Sequence, residues 1–231
     1  MKNLIYISLL SILVYSCAPA YTPNTVNAPL FSSQNEVQFA ITTGTSGIDA
    51  QTGYAPTDHI GVILNGSYAN RSDSGNYHKH NFIEFGGGYY SRMGEHGRLE
   101  LLGGYGMGNV DAHFKGVIFD YYTKTTIKRI FIQPSIGNVS DVFEIAFTPR
   151  LVFVHVKSPL DTLNTYPTDP FLEPTLTLKV GWKYIKFVTQ FGISLPLVKY
   201  TYYINEPIMF SIGFVGKIPG KKNESTVKYK E

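Results

Sequence analysis

The chain has 231 residues, of which only 16% are charged, and its formal net charge is +3. That length suits one large β domain or two small ones, and the charged fraction is well below the ~25% usual in soluble domains. A positive charge this weak gives no electrostatic reason to expect a nucleic-acid partner.

The first 16 residues have the order of a signal peptide. Lys2 precedes a short apolar run from Leu4 to Val14, which is shorter than the ~20 residues that a membrane-spanning helix needs. Ser16 and Cys17 follow, and a small residue before a lone cysteine resembles a bacterial lipobox. The resemblance implies cleavage before Cys17 and acylation of that residue, and an ordinary signal peptide is the alternative. As the only cysteine, Cys17 also excludes an intrachain disulfide.

Residues 17–34 are predicted to be a lipidated tether. The part "APAYTPNTVNAPLFSSQ" (18–34) contains three prolines and no periodic apolar pattern. Prolines without a period are typical of a linker. We therefore expect the folded domain to begin at residue 35.

A period of two dominates the domain predicted over residues 35–218. In "FLEPTLTLKVGWKY" (171–184), apolar residues fall on even positions, and charges and hydroxyls fall between them. This period indicates β-strands with one apolar and one polar face. The ten alternating segments lie near 37–41, 48–54, 60–68, 83–89, 99–107, 130–136, 143–153, 171–184, 185–195 and 208–214.

The connections between these segments alternate in length. Short turns are expected at 55–59, 93–97, 138–141 and 183–184, and longer loops at 71–79, 111–126, 156–169 and 197–206, with a short first hairpin at 44–47 on the long side. This asymmetry is typical of outer-membrane barrels. An even number of strands would then place both chain ends at the short turns, on the periplasmic side.

The predicted fold is all-β: a closed antiparallel up-and-down transmembrane β-barrel of about ten strands, with eight as the alternative. The segments of about 8 to 14 residues match a tilted spanning strand, whereas soluble strands average ~5–6 residues. Aromatic residues near segment ends suit the two membrane interfaces. The polar face would fill the lumen with paired charges. The predicted lumen network comprises Glu84, Glu100, Arg129, Glu144, Arg150, Glu173 and Lys179.

Glycine runs accompany two neighbouring segments. They are "EFGGGYY" (84–90) and "LLGGYGMGN" (101–109). Glycines in a small barrel make room for bulky side chains in the lumen or relieve sharp curvature. Neither run joins a strand to a helix, which argues against a phosphate-binding loop.

Several stretches together resemble small, mostly uncharacterised outer-membrane β-barrel lipoproteins of the Bacteroidetes. They are Cys17, "VNAPLFS" (26–32), "TDHIGVILNGSYANR" (57–71), "GGGYY" (86–90) and "FIQPSIG" (131–137). The resemblance implies a fold and an outer-membrane location, and it carries no biochemical activity. Unlike classical barrels, the chain continues past its last strand, and residues 219–231 are predicted to be a basic disordered tail.

The residues that could carry chemistry are scattered. His78 and His80 share one side of a strand end but lack a further ligand, and His155 and Ser158 have no partner that fixes a catalytic geometry. We therefore expect no enzymatic activity, no cofactor and no metal.

The predicted role is structural or interactive. The lumen would be filled by polar side chains, the long aromatic loops would be available to a ligand or protein, and the partner would be membrane lipid, with no nucleic acid and a monomeric state. The alternatives are a lipid-anchored periplasmic soluble β-barrel that binds an apolar ligand, and a narrow pore.

Overall fold

The computed structural model describes residues 19–73, 75–115, 120–158 and 166–220. The predicted signal peptide, Cys17 and residues 221–231 of the predicted tail lie outside the described residues. The described residues form eleven strands: β1 Val37–Gly44, β2 Gly47–Tyr54, β3 Ile60–Asp73, β4 Asn76–Met93, β5 Gly97–Lys115, β6 Asp120–Val139, β7 Phe143–Lys157, β8 Asp169–Gly181, β9 Ile185–Ile193, β10 Leu195–Pro196 and β11 Ile208–Ile218.

The strands close into a ring. Each strand from β1 to β8 pairs antiparallel with its neighbour in sequence, β8 pairs with β9, β9 with β11, and β11 with β1. The two-residue β10 continues β9 beyond Ser194 and pairs with β8, so the ring contains ten strands. The prediction of a closed, ten-stranded antiparallel β-barrel is confirmed. Among the described residues, no helix has the length and apolar character needed to cross a bilayer.

The two faces of the barrel wall have opposite polarity. On β8, Leu176 is 40% exposed on the outside, whereas Glu173 is 0% exposed on the inside. The same alternation gives the barrel an exposed apolar belt. Its members include Phe39, Ile41, Ile60, Leu64, Ile83, Phe85, Leu99, Leu101, Ile130, Ile132, Phe147, Phe153, Val180, Phe187, Phe191, Phe210 and Phe214.

Strands β4, β5 and β6 are longer than the belt requires. They contain 18, 19 and 20 residues, whereas a tilted strand crosses a bilayer in ~9–11. Beyond Ile83 and Met107 their outward side chains are mostly polar, and the inward ones are a mixture of apolar residues, such as Ala112 and Ile127, and polar ones, such as His80. Much of the sequence predicted as loops at 71–79 and 111–126 is therefore strand. The outward side chains of these stretches are mostly polar, so their composition resembles that of a loop.

The described part of the predicted tether lies inside the barrel. We call residues 19–36 the N-terminal segment, and most of its residues up to Phe31 are buried. It begins beside the loop between β10 and β11, where the Ala20 backbone N–H donates to the Ile204 carbonyl at 2.8 Å. It ends beside the β2–β3 turn, where the Asn35 N–H donates to the Ala55 carbonyl at 2.7 Å. The expectation of a free tether is thus corrected for residues 19–34.

The two ends of the described chain lie at opposite ends of the barrel. We call the end with the turns after β2, β4, β6 and β8 the short-turn end, and the opposite end the long-loop end. Gly220 follows β11 at the short-turn end, as expected. Ala20 lies at the long-loop end because the N-terminal segment crosses the lumen before β1 begins. The expectation that both chain ends lie on the short-turn side is therefore corrected for the start of the described chain.

Candidate functional site: the lumen and its N-terminal segment

Four charged side chains from four different strands meet in the middle of the lumen. Arg129 on β6 donates from Nε to Glu84 Oε2 on β4 at 2.9 Å, and Arg150 on β7 donates to Glu173 on β8 at 2.6 and 3.0 Å. Arg150 Nη1 also lies 3.6 Å from Glu84 Oε1. All four side chains are at most 1% exposed. Two cations and two anions therefore neutralise each other where water is excluded.

The N-terminal segment completes this ionic cluster. The Tyr21 hydroxyl donates to Glu173 Oε1 at 2.7 Å and accepts from Arg129 Nη1 at 3.1 Å. Arg129 Nη2 donates to the side-chain oxygen of Asn24. The cluster therefore joins the barrel wall to the segment that crosses it.

A second charged cluster lies nearer the short-turn end. Glu144 Oε2 lies 3.3 Å from Lys179 Nζ, and Glu144 Oε1 lies 2.6 Å from Lys186 Nζ. Lys179 also donates to the Ala28 carbonyl at 3.1 Å, which ties this cluster to the N-terminal segment. The structure thus places all seven predicted lumen residues inside the barrel, where six of them form ion pairs. The seventh, Glu100, accepts a hydrogen bond from the Phe31 N–H at 2.8 Å.

Amide side chains of the wall hold the backbone of the segment. Gln190 accepts from the Val26 N–H at 3.0 Å and donates to the Val26 carbonyl at 2.6 Å. Gln133 donates to the Asn27 carbonyl at 2.6 Å, and Gln51 to the Thr25 carbonyl at 2.9 Å. Buried backbone groups outside regular structure need such partners. The glutamines supply them, so the segment is bound rather than merely enclosed.

Glycines of the wall form a slot for Phe31. A Cβ built on Gly61 would lie 2.5 Å from the Phe31 ring, and one built on Gly53 would lie 2.9 Å from it. The ring packs on Tyr90 with 5.4 Å between centroids. Leu30, just before it, has a φ of 53°, a left-handed conformation that is uncommon for leucine.

Gly61→Ala is expected to destabilise the barrel by about 1–3 kcal/mol, because the added methyl overpacks a fully buried ring. The measurement is the urea midpoint of the heat-modifiable, folded band in detergent. Gly66→Ala on the same strand is the matched control, since its Cβ would meet no atom closer than 3.9 Å. Equal midpoints for the two variants would show that Phe31 does not occupy the slot.

The end of the lumen nearest the long loops is apolar. Val152, Val154 and Val156 of β7 face inward and pack in one cluster with Phe131 and Phe171. Tyr21 and Tyr203 belong to the same cluster. Gly104 leaves space for a bulky lumen side chain at this end, because a Cβ on Gly104 would lie 2.6 Å from the Phe131 ring. The expectation that polar side chains fill the lumen is therefore corrected at this end.

His78 and His80 adjoin a serine that the sequence did not single out. His80 Nε2 lies 3.0 Å from Ser67 Oγ, and His80 Nδ1 lies 2.9 Å from His78 Nε2. Burial lowers the pKa of each histidine to about 4, with the nearby Arg71 adding to the effect. The order serine, histidine, histidine is that of a nucleophile, a base and an orienting group. The cavity that Ser67 and His80 line together measures about 10 Å³, which leaves no room for a substrate between them. Ser67 also lines a groove of about 510 Å³, and His80 lines a separate cavity of about 370 Å³.

The other candidate pair is not brought together. His155 Nδ1 lies 3.3 Å from Thr168 Oγ1, and no hydrogen bond joins the described side chains of His155 and Ser158. Within residues 19–220, as far as they are described, no group of three or more His, Cys, Asp or Glu side chains could hold a metal ion.

Comparison with solved structures finds a likeness to another protein, whereas comparison with sequences finds none. No protein-family model and no curated protein sequence matches the chain. The translocator domain of autotransporter NalP from Neisseria meningitidis is 13% identical, with a TM-score of 0.44 over 81% of this chain and 76% of that chain. The fold is assigned from the strand register given above.

Proposed function

We propose that this protein is an outer-membrane β-barrel lipoprotein with a structural or interaction role, closed by its own N-terminal segment. The observation that carries the proposal is the reversed polarity of the wall. Isoleucine, leucine and phenylalanine form the exposed belt, while Arg129, Arg150, Glu84 and Glu173 are buried inside. Exposing such an apolar belt to water is unfavourable in free energy, whereas contact with lipid acyl chains is favourable.

Aromatic residues at the edges of the belt support the same placement. Tyr54, Tyr89, Trp182 and Tyr184 are exposed towards the short-turn end, and Tyr68 is exposed towards the opposite end. Tyrosine and tryptophan favour membrane interfaces because their rings are apolar and their tips are polar.

The filled lumen supports a closed barrel rather than a pore. Eight strands enclose a space that side chains just fill, so ten strands leave a surplus, which the N-terminal segment occupies here. Two cavities beside the segment measure only about 20 and 10 Å³. A larger polar cavity of about 730 Å³ lies at the short-turn end, lined by Glu36, Arg98, Glu144 and Lys186, so the lumen is filled along the segment and widens only at that end. The same filling argues against a soluble barrel for an apolar ligand, which would need an empty apolar interior.

Orientation follows from the habit of bacterial barrels, whose longer loops face outward from the cell. We propose that the long-loop end lies at the cell surface, with Ala20, and that Gly220 lies on the periplasmic side. Exposed tyrosines of the last loop, Tyr200 and Tyr202, would then be available to a ligand or protein. Acylation at Cys17 belongs to this proposal and rests on the lipobox resemblance.

The test is behaviour in membranes and detergent. A Cys17→Ala form cannot be acylated at that position. We nevertheless expect it to resist carbonate extraction, because the barrel itself spans the bilayer. Unheated, the detergent-extracted protein should migrate faster than the heated protein, as closed barrels do. Release of the Cys17→Ala form by carbonate would contradict the proposal, and the native form is the control.

A further inference from the structure

We propose that the outer wall of strands β2 to β7, at the long-loop edge of the belt, binds a phosphorylated glycolipid of the outer leaflet. This inference rests on the proposed function, because it requires that edge of the belt to lie in a membrane. Two neighbouring features carry it: a patch of exposed lysines and an apolar groove.

The lysine patch consists of Lys79 on β4, Lys124 and Lys128 on β6, and Lys157 on β7. All four side chains are exposed on the outward face just beyond the belt. The register brings them together, because Lys79 is opposite Asp111, Asp111 is opposite Lys124, and Thr126 is opposite Lys157.

The patch carries excess positive charge. Asp111 is the carboxylate within the register of the patch, and it also interacts with the Tyr77 hydroxyl. Among the described residues, no carboxylate lies within 4.0 Å of any of the four ammonium groups. Cations at a membrane surface attract anionic lipid head groups, so the charge favours a phosphate-bearing partner.

The groove adjoins the patch on the belt side. It has a volume of about 510 Å³ and is lined by Ile48, Ala50, Gly66, Tyr68, Ile83 and Met107, with Asn81, Asn109, Thr126 and Lys128 also on its wall. Its floor is open because a Cβ on Gly66 would meet nothing closer than 3.9 Å. An apolar groove with Lys128 on its wall suits an acyl chain whose head group reaches the patch.

The width of the patch favours a glycolipid over a glycerophospholipid. Strands β4 and β7 are three spacings apart, and each spacing is about 4.8 Å, so Lys79 and Lys157 are separated by roughly 14 Å across the wall. One phosphate cannot contact both edges. A saccharide head group with two separated phosphates can.

The experiment measures lipid bound to the detergent-solubilised full chain by native mass spectrometry. The probe is a bis-phosphorylated glycolipid, and its dephosphorylated form and a single-phosphate glycerophospholipid are the comparisons. We expect the wild-type protein to prefer the bis-phosphorylated form over each comparison lipid by about tenfold or more. Equal binding of the dephosphorylated form would overturn the proposal, and equal binding of the glycerophospholipid would overturn the glycolipid assignment.

Variants locate the site. K124Q/K128Q removes two charges from the patch, each contributing about 1 kcal/mol near a membrane surface, so binding should weaken about 10- to 30-fold. K183Q/K199Q removes two exposed lysines elsewhere and should leave binding unchanged. Gly66→Leu fills the groove and should also weaken binding. Equal effects of the two double variants would overturn the site. If the wild-type protein showed no heat-modifiable migration, that result would count against the proposed membrane barrel rather than against the lipid site.

Discussion

Glu84→Gln is expected to lower the free energy of unfolding by about 3–5 kcal/mol, the usual cost of breaking a buried ion pair by removing one partner. Glu84 accepts from Arg129 at 2.9 Å and from Asn65 at 2.9 Å. A neutral glutamine leaves the cluster with one uncompensated positive charge in the middle of the lumen. The measurement is urea-dependent unfolding of the refolded barrel in detergent or vesicles, followed by the shift between the folded and unfolded bands.

Glu100→Gln is the matched control. Glu100 is as buried as Glu84 but has no ion-pair partner within 4.0 Å among the described residues. Glutamine keeps the side-chain oxygen that accepts from the Phe31 N–H. We expect a cost below about 1 kcal/mol, since no charge pair is broken. If the two variants unfold at the same urea concentration, the ionic cluster contributes nothing specific to the fold.

Deleting residues 20–31 is expected to open the barrel to ions. The deletion removes the backbone that Gln51, Gln133 and Gln190 hold, so water would replace it along the polar middle of the lumen. It also removes Ala20 and Tyr21 from the apolar cluster at the long-loop end, which opens that end. In planar bilayers the full-length protein should be electrically silent, and the deletion protein should give discrete conductance steps. The glutamine and arginine side chains left without partners should also make the deletion barrel less stable.

The control for this experiment is a chain without residues 221–231, which keeps the N-terminal segment and should remain silent. Only protein that shows the fast-migrating folded band is used, so a misfolded deletion chain cannot be counted. Conductance by the full-length protein, or silence of the folded deletion protein, would show that the segment does not close the lumen.

The barrel wall could be predicted from the sequence because its pattern is local. In residues 171–184 the alternation alone separates Leu176 and Val180 on the outer face from Glu173 and Lys179 on the inner face. Charges of both signs on the inner face predicted the lumen position of Arg129 and Arg150. The particular pairings needed the three-dimensional register, since Arg129 and Glu84 are 45 positions apart.

The N-terminal segment could not be predicted in this way, because the contacts that hold it in the lumen join it mostly to strands far along the chain. Val26 meets Gln190, 164 positions away, and nothing near Val26 signals that partner. A weak signal did exist on the other side of these contacts. Gln51, Gln133 and Gln190 all face inward, and buried amides that can both donate and accept suit an irregular backbone. The ends of β4, β5 and β6 beyond the apolar belt were not predicted as strand for a different reason. Their outward side chains are as polar as those of a loop.

Threading a segment through a closed ring has a consequence for biogenesis. The described chain begins at Pro19 at the long-loop end, crosses the lumen, and reaches the β2–β3 turn before β1 starts. The strands therefore form a closed ring around a segment of their own chain. If Cys17 is acylated before the barrel closes, the ring has to close around a leader that is already lipidated.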